Sequence, residues 1–343
     1  MKNPLMKSFC GGSRGAVFSK KAPLAAGGKM ELEPLPISHA ELERYRISSR
    51  YQKRPGLVGG HRMRRKGQSL EFYDYRPYVP GDDVRYVDWR ASARHGNAED
   101  LLVRTFVAEE QLTLVISLDT RDTMKMPALM PKILIASWLV EAISWIALRS
   151  DDRVILHRLF GSAAGSIQEL YGSRSSPIRK VLSRFLSYRG PKDPVNINIL
   201  ERYLNPAVVW LIISDFYFDM ETEGQKLGRR AAEAQDGMRW VIQVDTDSWP
   251  YEKYYLGQGP RKVEGPGLLT ADRPLEIDTN TIVRVENSIK EHKQRFRDNV
   301  SRGAFDYICW KWPAQEQPDA RFFFEDHFGK DRVLQRLFMK ESQ

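Results

Sequence analysis

The chain has 343 residues, 42% of them hydrophobic and 28% charged, an ordinary balance for a globular protein long enough for one large domain or two. Its two cysteines, Cys10 and Cys309, argue against a disulfide framework and fit a reducing cytoplasm, and six scattered histidines without an H-E-x-x-H pattern argue against a histidine-built zinc site. The net charge of +9 is a weak sign of nucleic acid, because residues 1–29 contribute +6 of it and leave +3 for the rest.

Taken in chain order, residues 1–35 read as a basic tail rich in Gly, Ser, Ala and Lys, with neither helical nor strand period. It has no apolar core of the length a secretory signal needs. Met30 opens a more structured stretch and is an alternative start. Residues 36–110 form an N-terminal extension. Between Arg44 and Lys66 it holds nine Lys or Arg and no acid, and acids follow at Glu71, Asp74, Asp82, Asp83 and Asp88. A basic stretch beside an acidic one can pair with it, meet a partner protein or meet nucleic acid.

The core is expected over residues 111–245. "LTLVISL" (112–118) is a continuous apolar run, as a strand buried on both faces requires. A helix over 131–149 follows, apolar on all sides but the stripe Ser137, Glu141 and Ser144. Its sixteen-residue apolar run is short of the roughly 20 residues a membrane span needs, so a buried helix is the better reading. Strands are expected at 152–160 and 166–171. A helix capped by Ser176 with Pro177 in its first turn comes next, then a shorter helix near Asp193-Pro194. "AVVWLIISD" (207–215) is a second buried strand. A helix from about 221 ends at Gly237, and "RWVIQV" (239–244) is another strand. Such alternation predicts an α/β fold with a mostly parallel sheet and helices on both faces. Residues 246–280, with repeated Gly, Pro and Tyr, read as a small irregular or β-rich insertion. Residues 281–343 complete the domain with a helix to about 302, an edge strand at 304–312 and a closing helix at 325–340.

Two stretches carry chemistry. "SLDTRDTMKM" (117–126) places Asp119 at a strand end with Thr123 four residues on. Carboxylate and hydroxyl oxygens so spaced would build one side of a magnesium site, but Arg121 holds the position between them. "GGHRMRRKGQSLEFYDYRPYVPGDDVRYVDWRASARHG" (59–96) sets a Pro80-Gly81 turn beside Asp82, Asp83, Arg76 and Arg85. The expected role is bracing, with the arginines holding the Gly81–Asp83 turn and Trp89 in the core. No nucleotide-binding P-loop and no G-x-S-x-G elbow occurs, so the chain is read as not an enzyme, with a hydrolase as a remote alternative.

This second stretch resembles the signature of the bacterial domain of unknown function fifty-eight family. Gly60, Gly67, Glu71, Phe72, Arg76, Tyr78, Pro80, Gly81, Asp82, Asp83, Arg85, Asp88, Trp89, Ala93 and Arg94 match it. "VRTFVAEE", the following strand and Lys132 at the head of the next helix continue the likeness to about residue 245. The resemblance implies a von Willebrand factor A-like, Rossmann-type domain with a metal-ion-dependent adhesion site at the carboxyl ends of its strands. It implies work with a MoxR-type AAA+ ATPase as an adaptor in complex assembly or chaperone-like remodelling, without enzymatic activity. Carried onto this chain, the site's first loop supplies Asp119, Arg121 and Thr123, and its third supplies Asp215. Its second falls within "YGSRSSP", where Ser173 or Ser175 stands for a threonine.

Arg121 departs from that pattern, because a guanidinium repels a cation. Either it takes the metal's place by pairing with Asp119 or Asp215, or it faces solvent while Asp122 assists a weakened Mg²⁺ or Mn²⁺ site, or the loops have lost any binding role. The expectation is a degenerate site with no cofactor. The second functional reading is a nucleic-acid binder using residues 44–66. Neither reading includes membrane insertion, and the cytoplasm is the expected location.

Overall fold

The computed structural model describes residues 32–47, 71–94, 101–107, 112–127, 131–170, 178–187, 194–204, 208–236, 240–258, 262–263, 275–276, 278–302, 306–314 and 319–340. The basic tail to residue 31, residues 48–66 of the basic stretch, Ser173, Ser175, Ser176 and Pro177 lie outside the described residues. So do Gly237, Gly303 and most of 259–277. The chain forms two compact units, one of Ser48–Leu112 and one of Met1–Ile47 with Thr113–Gln343.

In chain order, the larger unit begins with helix α1 (His39–Leu42) and strand β1 (Tyr45–Ile47). The Ser38 hydroxyl accepts from the Glu41 N–H while the Glu41 carboxylate accepts from the Ser38 N–H, so a reciprocal cap starts even this single turn. The smaller unit contains β2 (Glu71–Pro77), α2 (Trp89–Arg94) and β3 (Leu102–Val107). Its two strands pair antiparallel, with a register shift between Phe72 and Asp74.

The larger unit then continues through β4 (Thr113–Leu118), α3 (Lys132–Arg149), β5 (Arg153–Arg158), β6 (Ile167–Leu170), α4 (Ile178–Leu186) and β7 (Val208–Ser214). Next come α5 (Gln225–Asp236), β8 (Trp240–Asp247), α6 (Trp249–Gln258), β9 (Lys262–Val263) and β10 (Leu275–Glu276). The last elements are α7 (Thr279–Arg302), β11 (Asp306–Lys311), α8 (Ala320–Lys330), α9 (Arg332–Leu337) and β12 (Phe338–Lys340).

Six strands form one sheet in the order β11-β8-β7-β4-β5-β6. All neighbours are parallel except β5 and β6. The chain starts this sheet at β4, adds β5 and β6 on one side, then crosses back to add β7, β8 and β11 on the other, so the winding reverses between β4 and β7. Every residue of β7 is buried, as a β-branched and aromatic run at the centre of a covered sheet should be. Val115, Trp210, Ile212 and Val241 on one face pack with Leu227 and Ala231 of α5 and Phe296 of α7. On α3 all residues but Trp145 and Arg149 are buried. Its Trp138 meets Phe324 of α8 edge to face, and Phe324 in turn meets Trp310 of β11. Helices therefore cover both faces. Glu141, in the polar stripe of α3, is engaged by Arg179 at 3.0 Å. Among the described residues, no helix is long and apolar enough to cross a membrane.

Three expected elements differ. Near Asp193-Pro194 there is no described α-helix but a 3-10 turn at Asn198–Leu200. The backbone there bonds elsewhere: the Asn196 N–H to the Leu159 carbonyl, the Val195 N–H to the Glu223 carboxylate. The stretch read as an irregular or β-rich insertion opens with helix α6, where Pro250 suits the first turn and Tyr251 is buried. Only the two-residue strands β9 and β10 pair in the described part of the rest. The closing helix is two helices and a strand, because Asp331 breaks the run. Its carboxylate accepts from Val333 and Leu334 and caps α9.

Candidate functional site

The carboxyl ends of β4 and β7, the two strands at the reversal, each lead directly into a buried aspartate. Asp119 and Asp215 are both 0% exposed. The Asp119 N–H donates to the Ile213 carbonyl at 2.9 Å, which extends the ladder by one rung and fixes the acid beside β7. Ser214, the last residue of β7, donates to Asp119 Oδ2 at 2.7 Å.

Cations from the chain meet both acids. Arg121 Nη2 lies 2.7 Å from Asp119 Oδ2, and Nε lies 3.1 Å from Oδ1. The same Nη2 is 3.6 Å from Asp215 Oδ1. Arg121 Nη1 donates to the Tyr217 carbonyl at 3.2 Å, and the guanidinium carbon sits 4.0 Å from the centre of the Phe160 ring, a cation–π distance. Lys132, the first residue of α3 and 3% exposed, donates to Asp215 Oδ2 at 2.7 Å. Burial alone would raise the Asp215 carboxyl. The charges of Lys132 and Arg121 and the Tyr217 N–H overcome it and hold the group below its ordinary range.

The cluster continues to β8. Lys293 of α7 donates to the Asp215 carbonyl at 2.8 Å and to the Asp245 carboxylate. Tyr307 donates to Asp245 Oδ2 at 2.6 Å. Here burial wins over its partners, and the Asp245 carboxyl is raised. Phe216 takes φ of 55° between these groups, a left-handed conformation costing roughly 1 kcal/mol or more for a non-glycine residue. Its N–H bonds to the Ser214 hydroxyl, and its carbonyl accepts from His292 at 2.7 Å.

Asp119, Arg121 and Asp215, which the family resemblance implies as members of one site, lie together here, with Arg121 paired to Asp119 and within 3.6 Å of Asp215. Asp122 turns instead to Lys125 at 2.9 Å. Thr123 Oγ1 is buried with no hydrogen-bond partner among the described residues. Reasoning from sequence missed Lys293 and Asp245 as members of the cluster and knew Lys132 only as a family match. Asp245 had a signal, since it follows the apolar run 239–244 in the sequence, although in the structure it lies within β8. Lys293 had none, lying 48 residues away on a polar helix.

A divalent cation does not fit this arrangement. Asp119 and Asp215 already face a guanidinium and an ammonium, and among the described residues no three His, Cys, Asp or Glu side chains gather to hold a metal. A buried Ser–His pair is equally closed. Ser117 accepts from Trp210 Nε1 at 2.8 Å and meets His157 Nδ1 at 2.8 Å, while His157 Nε2 meets the Asn196 carbonyl at 2.6 Å. Both residues are 0% exposed, and burial lowers the imidazole to about 3. This pair braces the sheet from within. The Cys309 thiol is pushed up to about 12 by burial and the nearby acids, far from a nucleophile's range.

In the smaller unit the signature residues form a braced turn. Arg76 reaches Asp82 with two bonds of 2.7 Å, and Arg85 pairs with Asp83 at 2.6 Å. Gly81 has φ of 108° in the turn closed by the Asp82 N–H on the Val79 carbonyl, so Pro80-Gly81 makes a type II turn. The Tyr78 N–H donates to the Leu101 carbonyl. Trp89 is not in the core, being 62% exposed, and Asp88 at 7% takes the inside place. The Asp88 carboxylate accepts from the Ala91 and Arg90 N–H groups, Arg104 and Tyr75. The helix-cap bonds, then Arg104 and Tyr75, hold its carboxyl well below the usual range. Arg94 ends α2, exposed.

Fold and site define a mostly parallel α/β protein whose central strands end in an ion-paired carboxylate cluster. The family model described as "Protein of unknown function DUF58" matches residues 74–295, and the chain belongs to that family. Among solved structures it is similar to one described as "Crystal structure of conserved hypothetical protein BatB from Bacteroides thetaiotaomicron", at 15% identity and TM-score 0.32, over 58% of this chain and 89% of that one. No curated protein matches the chain.

Proposed function

We propose that this protein is a cytoplasmic, non-enzymatic interaction module of von Willebrand factor A-like, Rossmann-type fold. It works with a MoxR-type AAA+ ATPase in complex assembly or chaperone-like remodelling. The strand order, with its reversal between β4 and β7, agrees with a doubly wound sheet, and the partner is the one that the resemblance of the 59–96 stretch implies.

The observation that carries the reading is the surface of the signature turn. Five of the nine large apolar side chains exposed among the described residues are Tyr75, Val79, Val84, Tyr86 and Trp89. They stand among Arg85, Arg90 and Arg94. Trp, Tyr and Arg are the residues that dominate binding energy at protein interfaces, and clustered exposed apolar groups mark contact sites.

A tagged pull-down from the native host tests the proposal, with bound proteins identified by mass spectrometry. A stoichiometric AAA+ ATPase is expected. Its affinity for the purified Trp89→Ala protein should fall roughly 30-fold, the loss of one interface anchor. Nucleic acid recovered without an ATPase would sink the reading and favour the basic segment.

A further inference from the structure

We infer that helix α2 presents a two-row docking face for an amphipathic helix of a partner protein, one that carries two carboxylates a turn apart beside an apolar row. The inference rests on the reading of the signature turn as a protein contact surface, and it names the chemistry of what binds there.

The arginines of the smaller unit fall into two sets. Arg76 pairs with Asp82, Arg85 with Asp83 and Arg104 with Asp88, so three cations are neutralised where they stand. Arg90 and Arg94 are exposed and have no ion pair among the described residues. They lie four residues apart on α2, which sets their Cβ atoms roughly 5–6 Å from each other. At roughly 100° per residue, they form one row of the helix, and Trp89 with Ala93 forms the adjacent row. All four are exposed, Trp89 at 62%. Val84 and Tyr86, in the turn that leads into the helix, are exposed as well.

The inner side of α2 explains why this face is held outward. Ser92 is buried. Its hydroxyl donates to the Asp88 carbonyl and accepts from the Leu102 N–H, both at 2.8 Å, which ties the helix to β3. The Asp88 carboxylate caps the first turn through the Arg90 and Ala91 N–H groups and is itself held by Arg104 and Tyr75. A helix of six residues is too short to be stable alone. Anchored at its start and middle, it sets Trp89, Arg90, Ala93 and Arg94 in one arrangement before a partner arrives, which lowers the cost of binding.

Complementarity then selects the occupant. Two guanidiniums a turn apart match two carboxylates a turn apart on a facing helix, since residues at i and i+4 are neighbours there too. Each guanidinium can hold its carboxylate with two parallel bonds, while Trp89 and Ala93 meet the apolar row alongside. Nucleic acid is the poorer match. Its binding draws on many phosphate contacts, whereas residues 82–94 supply only these two unpaired cations and also hold Asp82, Asp83 and Asp88.

The test selects binders of the full-length wild-type protein from a display library of random peptides long enough to form a helix, with oligo(dT) as a second probe. Enriched peptides should carry Asp or Glu at i and i+4 beside apolar residues at helical spacing. Arg90→Glu combined with Arg94→Glu should weaken a selected peptide by about 10-fold or more, because like charges then face each other. Replacing that peptide's two acids with lysine should restore its binding to the double variant. Arg90→Gln with Arg94→Gln, a milder change on an exposed face, serves if the charge reversal does not fold. Enriched peptides without the acidic pair, equal binding by folded variants, or no enrichment at all overturns the inference. So does binding of oligo(dT) that the variants lose, which would make phosphate the ligand. Acidic peptides bound as expected with no ATPase in the pull-down would remove the ATPase and leave this surface standing.

Discussion

Asp215 is the residue on which most of the cluster converges: Lys132 at one oxygen, the Tyr217 N–H and Arg121 toward the other, Lys293 at its carbonyl. A buried pair broken on one side leaves an uncompensated charge, at a cost of about 3–5 kcal/mol. Lys132→Met should lose that much stability in urea denaturation. Adding Asp215→Asn to it should restore part of the loss, because the two residues are coupled; a double variant no better than the sum of its singles would refute the pairing. At this scale the sequence exposed Asp119, Arg121 and Asp215, since each sits at or just past the end of an apolar run. It hid Lys293 and the exposure of Trp89. A lysine on a polar helix looks solvated, and a tryptophan in a dense motif looks buried, until the fold places them.

Among the elements, β4, β5, β7 and β8 were legible as apolar runs, and α3 as a helix apolar nearly all round. What periodicity could not give was direction and partner. β6 runs antiparallel at the edge, and β12 pairs with β1 through Ile47 opposite Phe338. Helix α6 was obscured because Gly and Pro in the stretch after it dominate the composition. The β1–β12 pair has a clear anchor. Phe338 is 5% exposed and packs against Phe328 and Tyr45, with ring centres 5.4 and 6.1 Å away. Phe338→Ala should cost about 3–5 kcal/mol, and amide exchange at Tyr45–Ile47 should quicken. A loss below about 1 kcal/mol would mean that the pair closes nothing.

For the whole molecule, acid is the natural stress. The His157 imidazole, lowered to about 3 by burial, is neutral in the folded state and has an ordinary pKa near 6.5 once unfolded. The unfolded chain binds the extra proton between those values, so stability should fall as pH drops from about 6.5, by roughly 1.4 kcal/mol per unit. Asp215, held low by its cations, adds a second loss once pH falls below the ordinary carboxyl range. Asp245, raised by burial, acts in the opposite sense. Urea midpoints of wild type and His157→Asn between about pH 7 and 4.5 read the slope, which should flatten in the variant; equal slopes would remove His157 from the account. The pairing of Ile47 with Phe338 also sets a clock. At about 5–20 residues per second, the ribosome releases β1 some 15–60 s before β12. Throughout that interval Leu42, Tyr45 and Ile47 have been made and their last covering strand has not, which makes the first described strand of the larger unit the last to gain its partner.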